Sequence, residues 1–291
     1  MIGDFEYFAP TNVGEALALL SDYKDESKVI AGGQSLLILM RQGLVAPKYL
    51  IDIKGIASLD YINFDVKEGL RIGALASHRA IETSKLVRNG FGVLTEMEQR
   101  LASVQTRNWG TIGGNLCHGD PTGDPAPVLI ALNAEVNLKN LSGERTIFLE
   151  EFFKDYFETD LQNDELLTEI RVPTPPPHMG TAFTKFSLIV GDYAIASVAV
   201  SITLNQKLGK CSDARIVLGS AAPIPMRAKR AENLLLGKEI VDNIIGDAAQ
   251  IASEEAEPIT DTQASEEYRR ELLGVLVRRV ANDALQRAQK P

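Results

Sequence analysis

The chain has 291 residues, of which 45% are hydrophobic and 24% charged, a composition typical of a soluble protein with room for two or three domains. Its formal net charge is −9, which argues against a nucleic-acid partner because such a partner needs a basic face. The two cysteines, Cys117 and Cys211, are too few for an iron–sulfur cluster or a four-thiolate zinc site and fit a reducing cytoplasm.

The N-terminal stretch MIGDFEYFAPTN is acidic and aromatic, unlike a secretory leader. No apolar run reaches the length that a bilayer requires. We therefore expect a cytoplasmic protein without a transmembrane segment; association with the inner face of the membrane through a complex stays open.

The first half of the chain alternates strands and helices. We predict strands at 28–31, 48–53 and 69–75 and helices at 35–42, 78–87 and about 92–103. Ser77 precedes the second of these helices and is a suitable N-cap. The first two strands flank a loop and a helix, which favours a parallel pair.

A polar segment around residues 106–123 follows, in which we expect Trp109 to pack and assign no role to Arg107. Asp124 followed by Pro125 predicts the start of a buried helix over 126–132, and a strand follows at 134–138.

The proline-rich run 172–178 cannot form a helix or a central strand, and we interpret it as a domain boundary. Beyond it, 196–204 and 211–220 predict an antiparallel hairpin, and three helices follow at 225–237, 242–256 and 265–289. The fold class is therefore α+β, with domains at 1–176 (lobes of about 1–54 and 55–176) and 177–291.

Two segments carry paired glycines, Ala31-Gly32-Gly33-Gln34-Ser35 and Thr111-Ile112-Gly113-Gly114-Asn115. The first opens a helix, where free backbone amides bind phosphate and a Cβ atom would hold phosphate oxygens away. Two such segments suit a pyrophosphate, although a single segment of this kind is more often an ordinary tight turn. Neither segment is a Rossmann fingerprint or a P-loop.

The stretches AGGQSLLILMRQG and TIGGNLCHGDPTGDPAPVLIALNAEV resemble the two FAD-binding signatures of the flavoprotein subunit of the molybdenum hydroxylases, the family of xanthine dehydrogenase and aerobic carbon monoxide dehydrogenase. FTKFSLIVGDYAIASVAV, residues 183–200, is similar to a third family segment. The resemblance covers the whole chain. It implies a two-lobed FAD-binding domain like that of vanillyl-alcohol oxidase (PCMH type), followed by the carbon monoxide dehydrogenase flavoprotein C-terminal domain.

The resemblance also implies which residues hold FAD: Ala31, Gly32, Gly33, Gln34, Ser35, Leu36, Thr111, Ile112, Gly113, Gly114, Asn115, Asp124, Lys185 and Tyr193. It implies that Asp124 contacts the ribityl chain, Lys185 a flavin or phosphate oxygen, and Tyr193 the isoalloxazine ring. On the residues alone, Asp124 is a helix N-cap, Lys185 a solvated strand charge and Tyr193 a packed aromatic residue. His118 and Cys117 are interpreted as a polar loop residue and a small buried group, and no catalytic residue or metal ligand is assigned.

Two features differ from parts of the family. Ile189 stands where many relatives carry arginine, which leaves the outer surroundings of the flavin or an intersubunit contact undetermined. The cysteine-bearing insertion of the branch similar to 4-hydroxybenzoyl-CoA reductase is missing, which disfavours that branch.

The implied function is electron transfer. FAD here would take electrons from two [2Fe–2S] clusters of a small subunit, which receive them from a molybdopterin–molybdenum site of a large subunit, and would pass them to NAD, a quinone or oxygen. We expect a dimer of heterotrimers, a heterohexamer. A self-contained FAD oxidase and a non-catalytic nucleotide-binding module are the alternatives. The substrate, whether carbon monoxide, an aldehyde, a purine or another N-heterocycle, stays open.

Overall fold

Three short parallel strands form the first sheet of the computed structural model, which describes residues 3–205 and 209–290. The elements of this region are, in chain order, β1 (Glu6–Phe8), α1 (Val13–Tyr23), β2 (Ser27–Ile30), α2 (Leu36–Arg41) and β3 (Tyr49–Asp52). β3 lies between β1 and β2 and is parallel to both. The predicted parallel pair is thus confirmed, and α2 is its crossover.

The second sheet is antiparallel and has the order β4-β5-β10-β6-β7. The strands of this part of the chain are β4 (Ile62–Asp65), β5 (Gly69–Gly73), β6 (Glu135–Asn140), β7 (Gly143–Phe148), the small pair β8 (Phe153–Asp155) and β9 (Glu158–Thr159), and β10 (Leu166–Val172). The chain leaves this sheet after β5 and returns with β6, so that a long helical insertion lies between them.

The insertion contains six helices, and a seventh follows β7. They are α3 (His78–Thr83), α4 (Lys85–Gly90), α5 (Gly92–Arg100), α6 (Val104–Trp109), α7 (Ile112–His118), α8 (Pro125–Ala131) and α9 (Leu149–Phe152). The single helix predicted over 78–87 is divided because Ser84 is extended and caps α4. The helix predicted to reach residue 103 ends at Arg100, since Leu101 is extended and Ala102 has φ +44°.

The third sheet and three helices form the C-terminal part. The strands are β11 (Met179–Phe186), β12 (Ala196–Leu204), β13 (Cys211–Gly219) and β14 (Met226–Arg227), antiparallel and adjacent in that order. The helices are α10 (Lys229–Leu235), α11 (Asp242–Glu255) and α12 (Glu266–Ala288). The hairpin of β12 and β13 is confirmed, although residues 206–208 of its turn lie outside the described residues.

β12 is buried along nearly its whole length because both of its faces are covered. Ala199 joins the core that the second sheet forms with the helical insertion, and Ser201 donates to the carbonyl of Ala131 in α8 (2.9 Å). Val198 and Val200, on the opposite face, belong to the core under the C-terminal helices. The third sheet therefore packs against α8 on one face, and residues just before α8 and along β11 come close together.

Candidate functional site

All but one of the predicted site residues line one cavity of about 920 Å³, a volume within the range of about 300–1,000 Å³ that small-ligand pockets occupy. Its walls come from β2 and α2, from the insertion, and from the end of β11 with the loop that follows. The predicted residues that line it are Ala31, Gly32, Gly33, Gln34, Ser35, Leu36, Thr111, Gly113, Gly114, Asn115, Asp124, Lys185 and Tyr193. The side chain of Ile112 does not line it but is buried in the hydrophobic core.

The first glycine segment and Leu36, the first residue of α2, line this cavity and have unused backbone donors. Within the described residues, the amides of residues 32–36 have no backbone acceptor. Gly33 has φ +69°, a left-handed conformation that turns the chain just before α2 begins at Leu36. Such a run of free amides suits an anionic oxygen-rich ligand.

The glycines serve different purposes from one another. A Cβ atom at Gly32 would overlap the carbonyl oxygen of Trp109, and one at Gly113 would lie 2.7 Å from the Ala74 carbonyl oxygen. At these two positions, glycine is required because two backbone segments pack closely. We had expected only the approach of a ligand to require it. A Cβ at Gly114 would instead lie 3.8 Å from Ala31 Cβ and 2.8 Å from the Thr111 hydroxyl. Gly114 therefore faces the first glycine segment.

Residues 111–115, the second glycine segment, are the first turn of α7 rather than a loop. Thr111 is the N-cap and accepts from the Gly114 amide. The amides of Ile112 and Gly113 donate to the carbonyls of Ala76 and Ala74, both at 3.0 Å. Because these first-turn amides already have acceptors, the two glycine segments do not offer equivalent phosphate sites.

Asp124 and Lys185 form an ion pair in the cavity wall. Lys185 Nζ lies 2.5 Å from Asp124 Oδ2 and also donates to the Asp192 carbonyl at 2.9 Å, and both charged side chains are 5% exposed. Asp124 precedes α8 as predicted, but its side chain does not cap the helix, because the carboxylate is turned to Lys185. Lys185 is likewise not a solvated strand charge.

Asp124 retains one free acceptor. Its Oδ1 is buried and has no hydrogen-bond partner among the described residues. Burial raises the pKa of Asp124 to about 6, although the charge of Lys185 works in the opposite direction. A buried carboxylate oxygen in a cavity wall calls for a donor from a ligand, such as a hydroxyl group.

Sequence reasoning missed a second buried polar pair beside the cavity. His78 lines the cavity, and its Nδ1 lies 3.0 Å from Oε1 of the fully buried Glu98, an interaction that fixes the orientation of the imidazole. The His78 amide donates to the Gly110 carbonyl, next to the second glycine segment. Nothing in the local pattern signals this pair, because its members lie on two separate helices.

The loop 187–193, between β11 and β12, stands at the mouth of the cavity. Leu188, Ile189 and Val190 are strongly exposed, while Asp192 and Tyr193 line the cavity. Partial burial, followed by the negative charges of Asp120 and Asp192, raises the pKa of Tyr193. An exposed apolar tip thus adjoins residues of the candidate site.

Three further residues near the second glycine segment can now be placed. Burial raises the pKa of the Cys117 thiol to about 12, which makes it a poor nucleophile. The residue is partly buried, packs against the hydrophobic core and also lines the cavity, so the interpretation as a small buried group holds only in part. His118 ends α7 rather than lying in a loop, and its ring contacts Phe157. Trp109, which we expected to pack, is 61% exposed.

Within residues 3–205 and 209–290, no group of three or more His, Cys, Asp or Glu side chains is placed to hold a metal ion. In the same part of the chain, none of the helices combines the length and the apolar character needed to cross a membrane.

Comparison with known proteins agrees with the geometry. Residues 3–175 match the family described as "FAD binding domain in molybdopterin dehydrogenase", and residues 181–284 match "CO dehydrogenase flavoprotein C-terminal domain". The chain is 37% identical to the 6-hydroxypseudooxynicotine dehydrogenase complex subunit alpha of Paenarthrobacter nicotinovorans, over 98% of this chain and 96% of that protein. It is 32% identical to the carbon monoxide dehydrogenase medium chain of Afipia carboxidovorans, over 99% of both chains.

The solved structures give the same result. A chain of the carbon monoxide dehydrogenase of Hydrogenophaga pseudoflava, in a form that lacks the Mo-pyranopterin moiety of its cofactor, superposes with a TM-score of 0.95. The two chains are 36% identical, and the match covers 99% of each. The fold is therefore α+β, a FAD-binding domain followed by a flavoprotein C-terminal domain, as the resemblance implied.

The free amides of residues 32–36, the unpaired oxygen of Asp124 and the matches over both parts of the chain lead to one identification. The chain belongs to the carbon monoxide dehydrogenase and xanthine dehydrogenase family, as the FAD-binding medium subunit of a molybdenum-containing dehydrogenase.

Proposed function

We propose that the chain holds FAD in the 920 Å³ cavity, and that the bound FAD takes electrons from [2Fe–2S] clusters of a partner subunit and delivers them to an external acceptor. Residues 1–176 supply most of the binding surface, as two lobes of about 1–54 and 55–176. Residues 177–291 complete it through Lys185 and Tyr193. The protein contributes binding, orientation and electrostatics, and its side chains need not act as acid or base on the organic substrate.

The observation that carries this proposal is the meeting of both glycine segments and Asp124 around a single cavity. The free amides of residues 32–36 suit the pyrophosphate, which needs several donors at once. The unpaired Oδ1 of Asp124 suits a hydroxyl of the ribityl chain. Anion donors and a buried acceptor in one cavity match a dinucleotide better than they match a simple phosphate.

The second glycine segment has a different part in the proposal. Since its first-turn amides bind Ala74 and Ala76, it contributes the bare Cα of Gly114 and the side chain of Asn115. Lys185 holds Asp124 and lines the cavity, and we assign it to a phosphate or flavin oxygen. Tyr193 offers an aromatic face for the isoalloxazine ring, and aromatic faces give stacking area at little cost in entropy.

We further propose that the chain assembles with a large molybdopterin-binding subunit and a small [2Fe–2S] subunit as a dimer of heterotrimers in the cytoplasm. Support comes from a relative that is named as a medium chain and aligns from end to end. The apolar tip of loop 187–193 adjoins the cavity and is a suitable place for the cluster-bearing subunit, because electron transfer requires the two cofactors to be close. Ile189, which stands where the family resemblance leads us to expect arginine, lies in this tip.

Gly114→Val tests the placement of FAD. The new side chain would fill the space towards Ala31, and its Cβ would also displace the Thr111 hydroxyl that caps α7. The far-ultraviolet circular dichroism spectrum of the variant, compared with that of the parent, therefore checks that the chain still folds. We expect purified Gly114→Val to retain little or no flavin. The measurements are the flavin-to-protein absorbance ratio and the dissociation constant for FAD added to the apoprotein.

Gly92→Val is the matched control, because Gly92 also lies in the first turn of a helix and has open space around its Cα. It lies outside the cavity lining and should keep its flavin. Full flavin retention in Gly114→Val, with the control unchanged, would show that the cavity is not the FAD site.

A further inference from the structure

Arg107 is a buried arginine that none of the contacts proposed for FAD uses. Its Nε donates to Glu82 Oε2 at 2.9 Å, and its Nη1 donates to the carbonyls of Leu101 (2.6 Å) and Ala102 (2.9 Å). Arg79 also pairs with Glu82, at 2.9 Å. One guanidinium therefore joins α3 to the turn that follows α5.

Glu82 carries the negative charge of its pair with Arg107. Burial opposes ionisation of Glu82, but the hydrogen bonds from Arg79 and Arg107 outweigh it, and the pKa of Glu82 lies below its ordinary value. Arginine suits such a place, because its planar fork serves several acceptors in fixed directions.

The turn that Arg107 holds has an unusual backbone. Ala102 has φ +44°, a region that residues with a Cβ rarely adopt and keep only where their surroundings enforce it. Both carbonyls that Arg107 binds belong to this turn, and both Leu101 and Ala102 line the cavity. The Arg107 guanidinium is thus a charged donor that binds both carbonyls and helps to hold the turn in this conformation.

The turn at Leu101 and Ala102 supports the loop 187–193. Gly191 has φ +86°, and a Cβ atom there would lie 2.9 Å from the same Ala102 carbonyl oxygen that accepts from Arg107. Asp192 and Tyr193 follow directly and line the cavity. On the other side, Lys185 binds the Asp192 carbonyl.

We propose that Arg107 is a positioning residue of the redox site. By holding the carbonyls of Leu101 and Ala102, it fixes the surface on which Gly191 rests, and thereby sets the position of Tyr193 at the cavity mouth. The proposal rests on the proposed function only where it assigns Tyr193 to the flavin; the support of the loop by Arg107 is independent of any ligand.

The first experiment needs no flavin. Thermolysin cleaves before exposed apolar residues, and Leu188, Ile189 and Val190 are such residues in the loop. In the full chain, Arg107→Met should speed cleavage at these positions about tenfold, because cleavage tracks the population of the released loop and each hydrogen bond to a charged group opposes release. Arg107→Lys keeps the charge beside Glu82 but loses the planar fork, and it should also speed cleavage. This variant keeps the test available if Arg107→Met fails to fold.

Arg227→Met is the control. Arg227 is also largely buried and pairs with two carboxylates, Glu150 and Glu232, but it lies outside the cavity lining. It should lower the melting temperature without selective cleavage at 188–190. Equal cleavage rates at these bonds in Arg107→Met, Arg107→Lys and the control would overturn the proposal.

The second experiment uses the flavin-loaded complex. Arg107→Lys should shift the visible flavin band or its reduction potential, and the shift should vanish when Tyr193 is already alanine, because both changes act through one group. An equal shift in both backgrounds would overturn the transmission through Tyr193. If Tyr193→Ala alone changes neither band nor potential, the placement of Tyr193 on the flavin fails, and the cleavage assay still decides the role of Arg107.

Discussion

Asp124 combines structural and binding roles in one side chain. One carboxylate oxygen holds Lys185, and the other is buried and has no hydrogen-bond partner in the part of the chain that the structure describes. A buried acceptor without a hydrogen-bond donor destabilises the free protein. A ligand hydroxyl that donates to this oxygen removes the penalty, which favours binding. The same arrangement makes the pKa of Asp124 sensitive to the ligand.

We therefore predict that FAD binding weakens as the pH falls through about 6. In the free chain, burial raises the pKa of Asp124 to about 6. A hydroxyl donor favours the carboxylate and lowers this pKa in the loaded protein, so that binding releases a proton below pH 6 and is opposed by acid. The measurement is the dissociation constant of FAD by fluorescence titration of the apoprotein between pH 5 and 7.5.

Asp124→Asn is the informative variant, since its amide oxygen can still accept from Lys185. It should bind FAD about tenfold more weakly at pH 7.5, because its amide nitrogen then stands in the place of Oδ1 and cannot accept from the ligand hydroxyl. It should also lose the component of the pH dependence that belongs to Asp124. If the variant keeps the full dependence of the parent, a group other than Asp124 is responsible.

The sequence was sufficient to find the glycine segments but not the reason for each glycine. The positive φ of Gly33 fits a turn before a helix, which local pattern predicts. Gly32 and Gly113, in contrast, are glycines because Trp109 and Ala74 approach from other parts of the chain. Arg107 and Glu82, 25 residues apart, also pair across two helices, and periodicity carries no information about such contacts.

Among the elements, β2, β3 and the hairpin of β12 and β13 were predictable because apolar periodicity and turn residues agree there. α7 was not, because two adjacent glycines in its first turn lower its helix propensity by about 1 kcal/mol each. Tertiary contacts compensate for this cost, since Ile112 and Leu116 are buried and the first amides bind carbonyls before α3. A helix that depends on its surroundings in this way is not visible in local sequence.

The loop 187–193 is the element for which we predict a partner. Val190 is 95% exposed at its tip, next to Leu188 and Ile189, and an apolar tip in water is typical of an interface core. We expect Val190→Ser to reduce copurification with the cluster-bearing subunit, and to slow electron transfer into the flavin of the complex. The measurement is the subunit ratio after affinity purification of a coexpressed complex.

Val66→Ser serves as the control for this prediction. Val66 is 73% exposed in the turn between β4 and β5, and it lies outside the cavity lining. It should leave the subunit ratio unchanged. Normal assembly of Val190→Ser would place the contact with the partner elsewhere on the chain.

For the whole molecule, the two matched parts share their interior. Phe183, Ala199 and Val217 of the third sheet lie in the same core as the second sheet and the helical insertion. The C-terminal part therefore closes the cavity wall with Lys185 and Tyr193 and also covers apolar surface of the first part. The family signatures predict this pairing of domains, whereas the surfaces that meet other subunits leave no comparable signature in a single chain.

The cavity suits a dinucleotide, but the chain has only two cysteines, and the described residues offer no cluster of metal ligands. We therefore expect the isolated chain to bind FAD but to contain no iron or molybdenum. Dithionite should bleach its flavin, whereas an aldehyde, a purine or another N-heterocycle should not.

The complex, coexpressed and purified anaerobically with its subunits in equal amounts, should be bleached by its own substrate, because the partners supply the metal centres. Substrate-dependent bleaching of the isolated chain would instead identify a self-contained oxidase.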